Sequence, residues 1–256
     1  VEWSKIKSKN LLIIPNDFPD KNNDYIGNIF VKDQIKYLKN KYNKIYVICP
    51  VPYGVGLFRN HSYVNYDYDN VKVIFPKYVN VPVFYFKYKR LWALLAARTI
   101  KKCIDEKQIS FDLIHAHFAW PSGLIAVFLK RYYGVPVIVT NHARPKTLKI
   151  VLDVHNILYK YLWDRTDGII CIQKWHINKM AKKGITNDKL FYVPNGYDSS
   201  RFYNLNKDCC RKLLNIPQNK MIFLTLGNLI EDKGHIYAIK AMKKIILFSS
   251  FLILIA

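Results

Sequence analysis

Residues 111–140 read FDLIHAHFAWPSGLIAVFLKRYYGVPVIVT. Residues 111–117 form a short apolar strand with histidines at alternate positions. Residues 123–133 form a helix closed by Gly134, and residues 135–140 form a second strand. Strand, helix and strand within thirty residues are the unit of a sheet wound with helices.

The same alternation extends in both directions. Toward the N-terminus, residues 11–15 read as a buried strand. Residues 29–42 read as an amphipathic helix carrying Ile29, Phe30, Ile35, Tyr37 and Leu38. Residues 44–49 and 71–75 read as strands, and 91–106 as a helix with Leu91, Leu94, Leu95, Ile100 and Ile104 on one side. Toward the C-terminus, 148–165 reads as one helix, 168–172 as a strand, 176–183 as a helix ended by Gly184, and 190–193 as a strand. The pattern predicts an α/β fold, a doubly wound and mostly parallel sheet. Ligands of such sheets bind outside the carboxyl ends of the strands. That rule selects the loops after Pro15, His117, Thr140 and Val193.

Pro194, Asn195, Gly196, Tyr197 and Asp198 form a cluster of turn residues, and a polar stretch runs on to about residue 219. The pattern then restarts with strand 221–226, loop 227–234, helix 235–246 and strand 251–256. One such unit cannot bury both faces of a sheet, so the second α/β domain is expected to be incomplete. The expected division is a first domain over 1–198, a linker over 199–219 and the start of a second domain over 220–256.

Half of the residues are apolar, which supports a sizeable core and argues against global disorder. Residues 1–10 are polar and basic, unlike a secretory signal. The longest apolar stretch, 245–256, is interrupted by Ser249 and Ser250 and is shorter than the about 20 residues of a membrane span. The five cysteines form no CxxC pair and are odd in number. That argues for reduced thiols and a cytoplasmic setting, with attachment to the cytoplasmic membrane face as an extension. The formal net charge is +22, mostly lysine. One reading is a partner with an anionic surface, acidic lipid or nucleic acid. The plainer one is compositional bias toward Lys, Asn, Ile and Tyr, since the basic residues are scattered.

Phosphate-loop, nucleophile-elbow and zinc-helix motifs are absent from the sequence. Residues 54–59 begin like a dinucleotide fingerprint but end in Arg59. Four segments remain as candidates. His115 and His117 share one side of a strand end. They read as metal ligands, as a substrate-binding His at the carboxyl end, or as loop-stabilising side chains. His142 and Arg144 follow the next strand, where Arg144 would grip an anion or simply face water. Gly27 precedes the first long helix, where its missing side chain admits a ligand or merely suits the turn. Lys233 lies between strand and helix in the segment that starts at Gly227 and Asn228. A lysine there opposes the helix dipole unless an anion binds, or unless Glu231 and Asp232 offset it.

Together these segments resemble family-4 glycosyltransferases, retaining enzymes of the GT-B architecture. The resemblance rests on residues 111–117 with Pro121, Ser122 and Gly123, on 134–142, on 167–172, on 193–198 with Arg201 and Phe202, and on 226–234. It runs in order along nearly the whole chain. It implies a Rossmann-like acceptor-side domain followed by the beginning of a nucleotide-sugar domain. By resemblance, a hexose-type sugar passes with retention to a polysaccharide, glycolipid or lipid-linked acceptor. The nucleotide sugar is a co-substrate, and no cofactor or obligatory metal is implied.

By the same resemblance His117 is the active-site histidine, Gly27, Asn228 and Lys233 lie at the donor phosphates, and His142 and Arg144 lie on the acceptor side. Three departures stand out. Asn228 occupies a position where relatives often carry Arg, and Ala143, Arg144 and Pro145 stand where the loop usually continues with Gly and a small or acidic residue. The family's paired glutamates have no counterpart, since no carboxylate follows Asp232. This chain is therefore expected to be a fragment with little activity alone. The aromatic–basic run over 83–92 reads as a dock for anionic membrane or as a strand end and helix start packed on the sheet. The alternative to an enzyme is a basic protein that binds membrane or nucleic acid; the chain has no recognisable nucleic-acid module, which makes nucleic acid the lesser partner.

Overall fold

The computed structural model describes residues 6–53, 63–79, 87–153, 156–245 and 251–255. The fingerprint-like run 54–59 and residues 83–86 of the aromatic–basic run lie outside the described residues. The chain divides into two compact units, Val1–Asn195 and Gly196–Ala256.

The first unit is built on an eight-stranded sheet. Its strands are β1 (Asn10–Ile14), β2 (Lys44–Ile48), β4 (Tyr66–Tyr68), β5 (Val71–Ile74), β7 (Leu113–His117), β8 (Val137–Asn141), β9 (Gly168–Cys171) and β10 (Leu190–Tyr192). A separate two-residue pair joins β3 (Val51–Pro52) to β6 (Lys77–Tyr78). The spatial order is β10-β9-β8-β7-β1-β2-β5-β4. Every neighbour pair is parallel except β4 with β5. The chain builds outward from β1 on one side, then returns to β7 and builds outward on the other. The switch point lies between β1 and β7, which places a crevice beyond their carboxyl ends.

The helices of this unit are α1 (Ile29–Leu38), α2 (Lys89–Glu106), α3 (Leu124–Tyr133), α4 (Pro145–Val151), α5 (Ile157–Arg165) and α6 (Lys174–Ala181). Residues 11–14 of β1 are all buried, and they divide by parity. Leu12 and Ile14 join one core with α2, α3 and α5, while Leu11 and Ile13 join a second core with Val31 and Ile35 of α1. A strand apolar on both sides needs helices on both faces, which is why this one reads as an unbroken apolar run.

Three sequence expectations change. The helix expected over 148–165 is two helices, α4 and α5. Asn156 ends the break by accepting a hydrogen bond from the Leu158 N–H at 3.1 Å, an N-cap that starts a new helix. The stretch expected as a linker holds α7 (Lys207–Leu213), started by Asn206, which accepts from the N–H groups of Asp208 and Cys209 at 3.0 Å each. β4 was not expected; it turns back through Asp69, whose φ is 51°, and pairs antiparallel to β5.

The second unit contains α7, a parallel pair of β11 (Met221–Thr225) and β12 (Phe251–Ile255), and α8 (His235–Ile245) as the crossover. Among the described residues no helix is long and apolar enough to cross a membrane.

Candidate active site

Three imidazoles gather at the carboxyl ends of β7 and β8, beside the switch point. His115 and His117 alternate along β7, and the strand's period of two brings both rings to one face, 4.4 Å apart. His115 Nε2 shares a hydrogen bond with Thr140 Oγ1 on β8 at 2.7 Å. His117 Nδ1 meets His142 Nε2 at 3.1 Å, with the two rings stacked. Asn141, fully buried at the end of β8, accepts the Ala143 N–H at 3.1 Å and so turns the chain that carries His142. Phe30, in the first turn of α1, packs against both His117 and His142. Two buried imidazoles, half-buried His142 and the more exposed Phe30 thus form one wall.

Burial is the main cause of their electrostatics. It pushes His115 down to about 4, with a small further push from His142. It holds His117 well below the ordinary imidazole value, assisted by the charges of His115 and His142. His142 falls to about 4 by burial and by nearby His176. At neutral pH the rings are uncharged, so the His117–His142 contact holds one shared proton. His117 is 1% exposed, and its Nε2 has no hydrogen-bond partner among the described residues. A buried nitrogen left bare costs free energy, and a ligand hydroxyl would satisfy it as donor or as acceptor. Among the described residues no three His, Cys, Asp or Glu side chains converge to hold a metal ion.

Across the switch point, Asn16 follows β1 and clamps the turn that follows β7. Its Nδ2 donates to the Trp120 carbonyl at 3.0 Å, and the Ser122 hydroxyl donates to its Oδ1. Gly27 lies on the loop between β1 and α1, three residues before Phe30. A Cβ at position 27 would stand 2.7 Å from Asp17 Oδ2 and 2.6 Å from Tyr25 Cε1. A side chain there would have to displace the Tyr25 ring and the Asp17 carboxylate. The Tyr25 hydroxyl donates to Asp17, and burial together with that carboxylate pushes the phenol well up. Lys32 of α1 ties the loop down by donating to the Asp20 carbonyl at 2.8 Å.

Of the sequence-selected residues, His117 and His142 meet, and Gly27 stands beside their wall. Arg144 is exposed and precedes α4. Asn228 and Lys233 belong to the second unit. There the 227–234 loop has its own architecture. Lys233 sits in a single turn, Glu231–Lys233, ahead of α8. Its stem lies 3.4–3.6 Å from where a Cβ on Gly227 would project, and Gly227 has φ 150°. His235 Nε2 reaches the Asn228 carbonyl at 3.1 Å and Nδ1 reaches Thr225 Oγ1 at 2.9 Å. A carbonyl only accepts, so Nε2 carries a proton and a neutral ring accepts the Thr225 hydroxyl at Nδ1. The loop is pinned at both ends, with the Lys233 ammonium left exposed.

Sequence reading missed Asn16, Asn141 and His235. Their signal was position alone: an Asn directly after a strand, and the first residue of a helix.

A mostly parallel sheet with its switch point between β1 and β7, and polar groups at the strand ends, defines a doubly wound α/β domain with a ligand crevice at that point. The chain belongs to Glycosyltransferase Family 4, which matches residues 27–201. It is 25% identical over 219 residues to a Bacillus subtilis glycosyltransferase named for teichuronic acid biosynthesis, covering 80% of this chain and 55% of that one. It is 28% identical over 155 residues to an Escherichia coli UDP-Gal:α-D-GlcNAc-diphosphoundecaprenol α-1,3-galactosyltransferase, covering 55% and 38%. An uncharacterised glycosyltransferase of Methanocaldococcus jannaschii is 29% identical over 143 residues, covering 56% and 38%. The chain therefore spans 38% to 55% of the length of these relatives. Among solved structures, Anabaena HepE in complex with UDP-glucose matches with TM-score 0.61 at 13% identity, over 96% of this chain and 59% of that one. The catalytic domain of Arabidopsis thaliana starch synthase IV matches with TM-score 0.57 at 12% identity, over 97% and 68%. Both share the Rossmann-like α/β fold with this chain.

Proposed function

We propose that this chain carries the acceptor-side half, and part of the donor-side half, of a retaining glycosyltransferase that uses a nucleotide sugar. The observation that carries the reading is the buried, partnerless His117 Nε2 at the carboxyl end of β7, beside the switch point. A neutral imidazole there binds a hydroxyl of the sugar being transferred. It orients the sugar rather than delivering a full proton, because its conjugate acid is strongly disfavoured by burial. The loop carrying Gly27 would form the near wall of the donor phosphates. Within the second unit, Lys233 and the neighbouring N–H groups would bind a diphosphate, the kind of fixed charge that lowers the barrier to its departure. Neither a metal nor another cofactor is needed for that role.

The acceptor class follows the relatives. One carries a name for galactosyl transfer to a diphosphoundecaprenol-linked sugar and another a name for teichuronic acid synthesis. A glycan or lipid-linked acceptor is the corresponding reading here, with His142 and Arg144 on its side of the crevice, and with the protein working at the cytoplasmic face of a membrane. The test is transfer of labelled sugar from UDP-, GDP- or ADP-sugars to a polyprenyl-diphosphate-linked saccharide by the protein that carries this chain. The expected product keeps the donor's anomeric configuration. An inverted product, or hydrolysis with no transfer to any glycan acceptor, would overturn the reading.

A further inference from the structure

Beyond the carboxyl end of β9 the chain enters α6, directly above the segment that carries His142. Cys171 ends β9 opposite Asn141 of β8, and α6 starts at Lys174. This helix buries two side chains, His176 and Met180. They stand at i and i+4 and so share one face. Met180 Sδ lies 3.9 Å from Asn141 Nδ2 and 3.6 Å from Cys171 Sγ. His176, one turn nearer the helix start, lies against His142 and Ala143. Burial lowers the His176 ring, and the Ala143 backbone opposes that push. Burial also lowers His142, with His176 as the second cause.

This is a costly place for an imidazole. His176 is 0% exposed, and neither ring nitrogen has a hydrogen-bond partner among the described residues. An unbonded polar atom in the core carries its full cost of desolvation. The Trp175 ring stands edge-on at 4.3 Å, so the surroundings are apolar on that side. An apolar side chain of similar volume would pack there without the penalty. Met180 is that apolar solution one turn further along the same helix. The polar ring at position 176 has a use if it acts on the neighbouring imidazole.

His117 Nδ1 and His142 Nε2 are 3.1 Å apart and, both rings being neutral, hold one proton between them. With the proton on His117, its Nε2 is a bare lone pair and accepts a hydrogen bond from a sugar hydroxyl. With the proton on His142, His117 Nε2 carries a proton of its own and donates. The choice follows the tautomer of His142, and in a buried site a neighbouring dipole biases that choice strongly. We propose that His176 is a positioning residue of the candidate site, which fixes the tautomer of His142 and through it the donor or acceptor role of His117 Nε2. The proposal rests on His117 as the sugar-binding residue, but the tautomer is a property of the chain without substrate.

The test is nitrogen-15 NMR of the imidazoles of the full chain at neutral pH, for the parent, His176→Leu and His176→Gln, beside kcat for transfer by the protein that carries this chain. The parent His117 is expected to show one protonated and one bare nitrogen. In His176→Leu both signals are expected to shift toward the average of two tautomers. Its kcat is expected to fall about tenfold, with Tm unchanged or raised because two unbonded nitrogens leave the core. His176→Gln keeps a donor and an acceptor, and is expected to hold the single tautomer with kcat within about threefold of the parent. Should His176→Leu fail to fold, the same signals are read in His176→Met, whose flexible side chain fills the space with less strain. Unchanged His117 signals in the folded apolar variant would overturn the proposal and leave His176 a packing residue, as would averaged tautomers in the parent. Tautomer control in a parent protein that transfers no sugar would sustain the proposal and reject the functional reading.

Discussion

His117 ends β7 with one ring nitrogen held by His142 and the other bare, and the site reading depends on that asymmetry. His142→Phe keeps a ring in the stack but removes the nitrogen that fixes the His117 proton. A fall in kcat of about tenfold, with little change in thermal stability, is expected from loss of one positioning hydrogen bond. Steady-state kinetics beside thermal unfolding checks this, and an unchanged kcat would show that His142 only packs. Gly227→Ala places a Cβ at φ 150°, a conformation costing about 1–3 kcal/mol for a side chain, and so strains the loop beside the Lys233 stem. The expected result is a raised KM for the nucleotide sugar with kcat less affected; the reverse pattern would remove Lys233 from donor binding. His117 and His142 were legible in sequence because each stands at the end of an apolar run. Asn16 and Asn141 were not, because an Asn after a strand suits any turn, and only the fold shows that these two tie separate segments together.

Elements were legible where burial is complete. The inner strands carry unbroken apolar runs, and their helices carry one apolar stripe each. The break between α4 and α5 was hidden because apolar spacing continues through Leu148, Val151, Leu152, Leu158 and Leu162, all packed on one core. Capping, not hydrophobicity, divides them. Asn156→Ala is therefore expected to destabilise the first unit by about 1 kcal/mol, read as a drop in Tm of about 2–4 °C for a unit of this size. No change in Tm would mean that packing alone sets the break. β3, β4 and β6 escaped sequence reading because two or three residues carry no periodicity, and β4 is an edge strand of tyrosines flanking Asp67.

At the scale of the molecule, the strand order was the quantity that sequence alone left open. Alternating strands and helices indicated a wound sheet, but the switch between β1 and β7 is a pairing fact. It is what brings the loop of Gly27 beside the loop of His117. The buried imidazoles give the whole molecule a pH dependence. His115 and His142 sit near 4 when folded and near the ordinary 6.5 when unfolded. Between those values the unfolded chain binds protons that the folded chain refuses. Stability is therefore complete above about pH 6.5 and is lost as pH falls toward 4, by about 3 kcal/mol for a ring shifted this far. Urea midpoints are expected to fall between pH 7.5 and 5 and to fall less in His115→Gln. A midpoint constant over that range would contradict the buried, neutral stack.

In the proposed reaction His117 holds the sugar during transfer. The direct measurement is kcat for glycosyl transfer by His117→Ala beside the unaltered protein, with circular dichroism confirming the fold. A reduction of about 10²-fold or more is expected for loss of a group poised at the reacting sugar. A kcat within about twofold of the unaltered protein would contradict the claim.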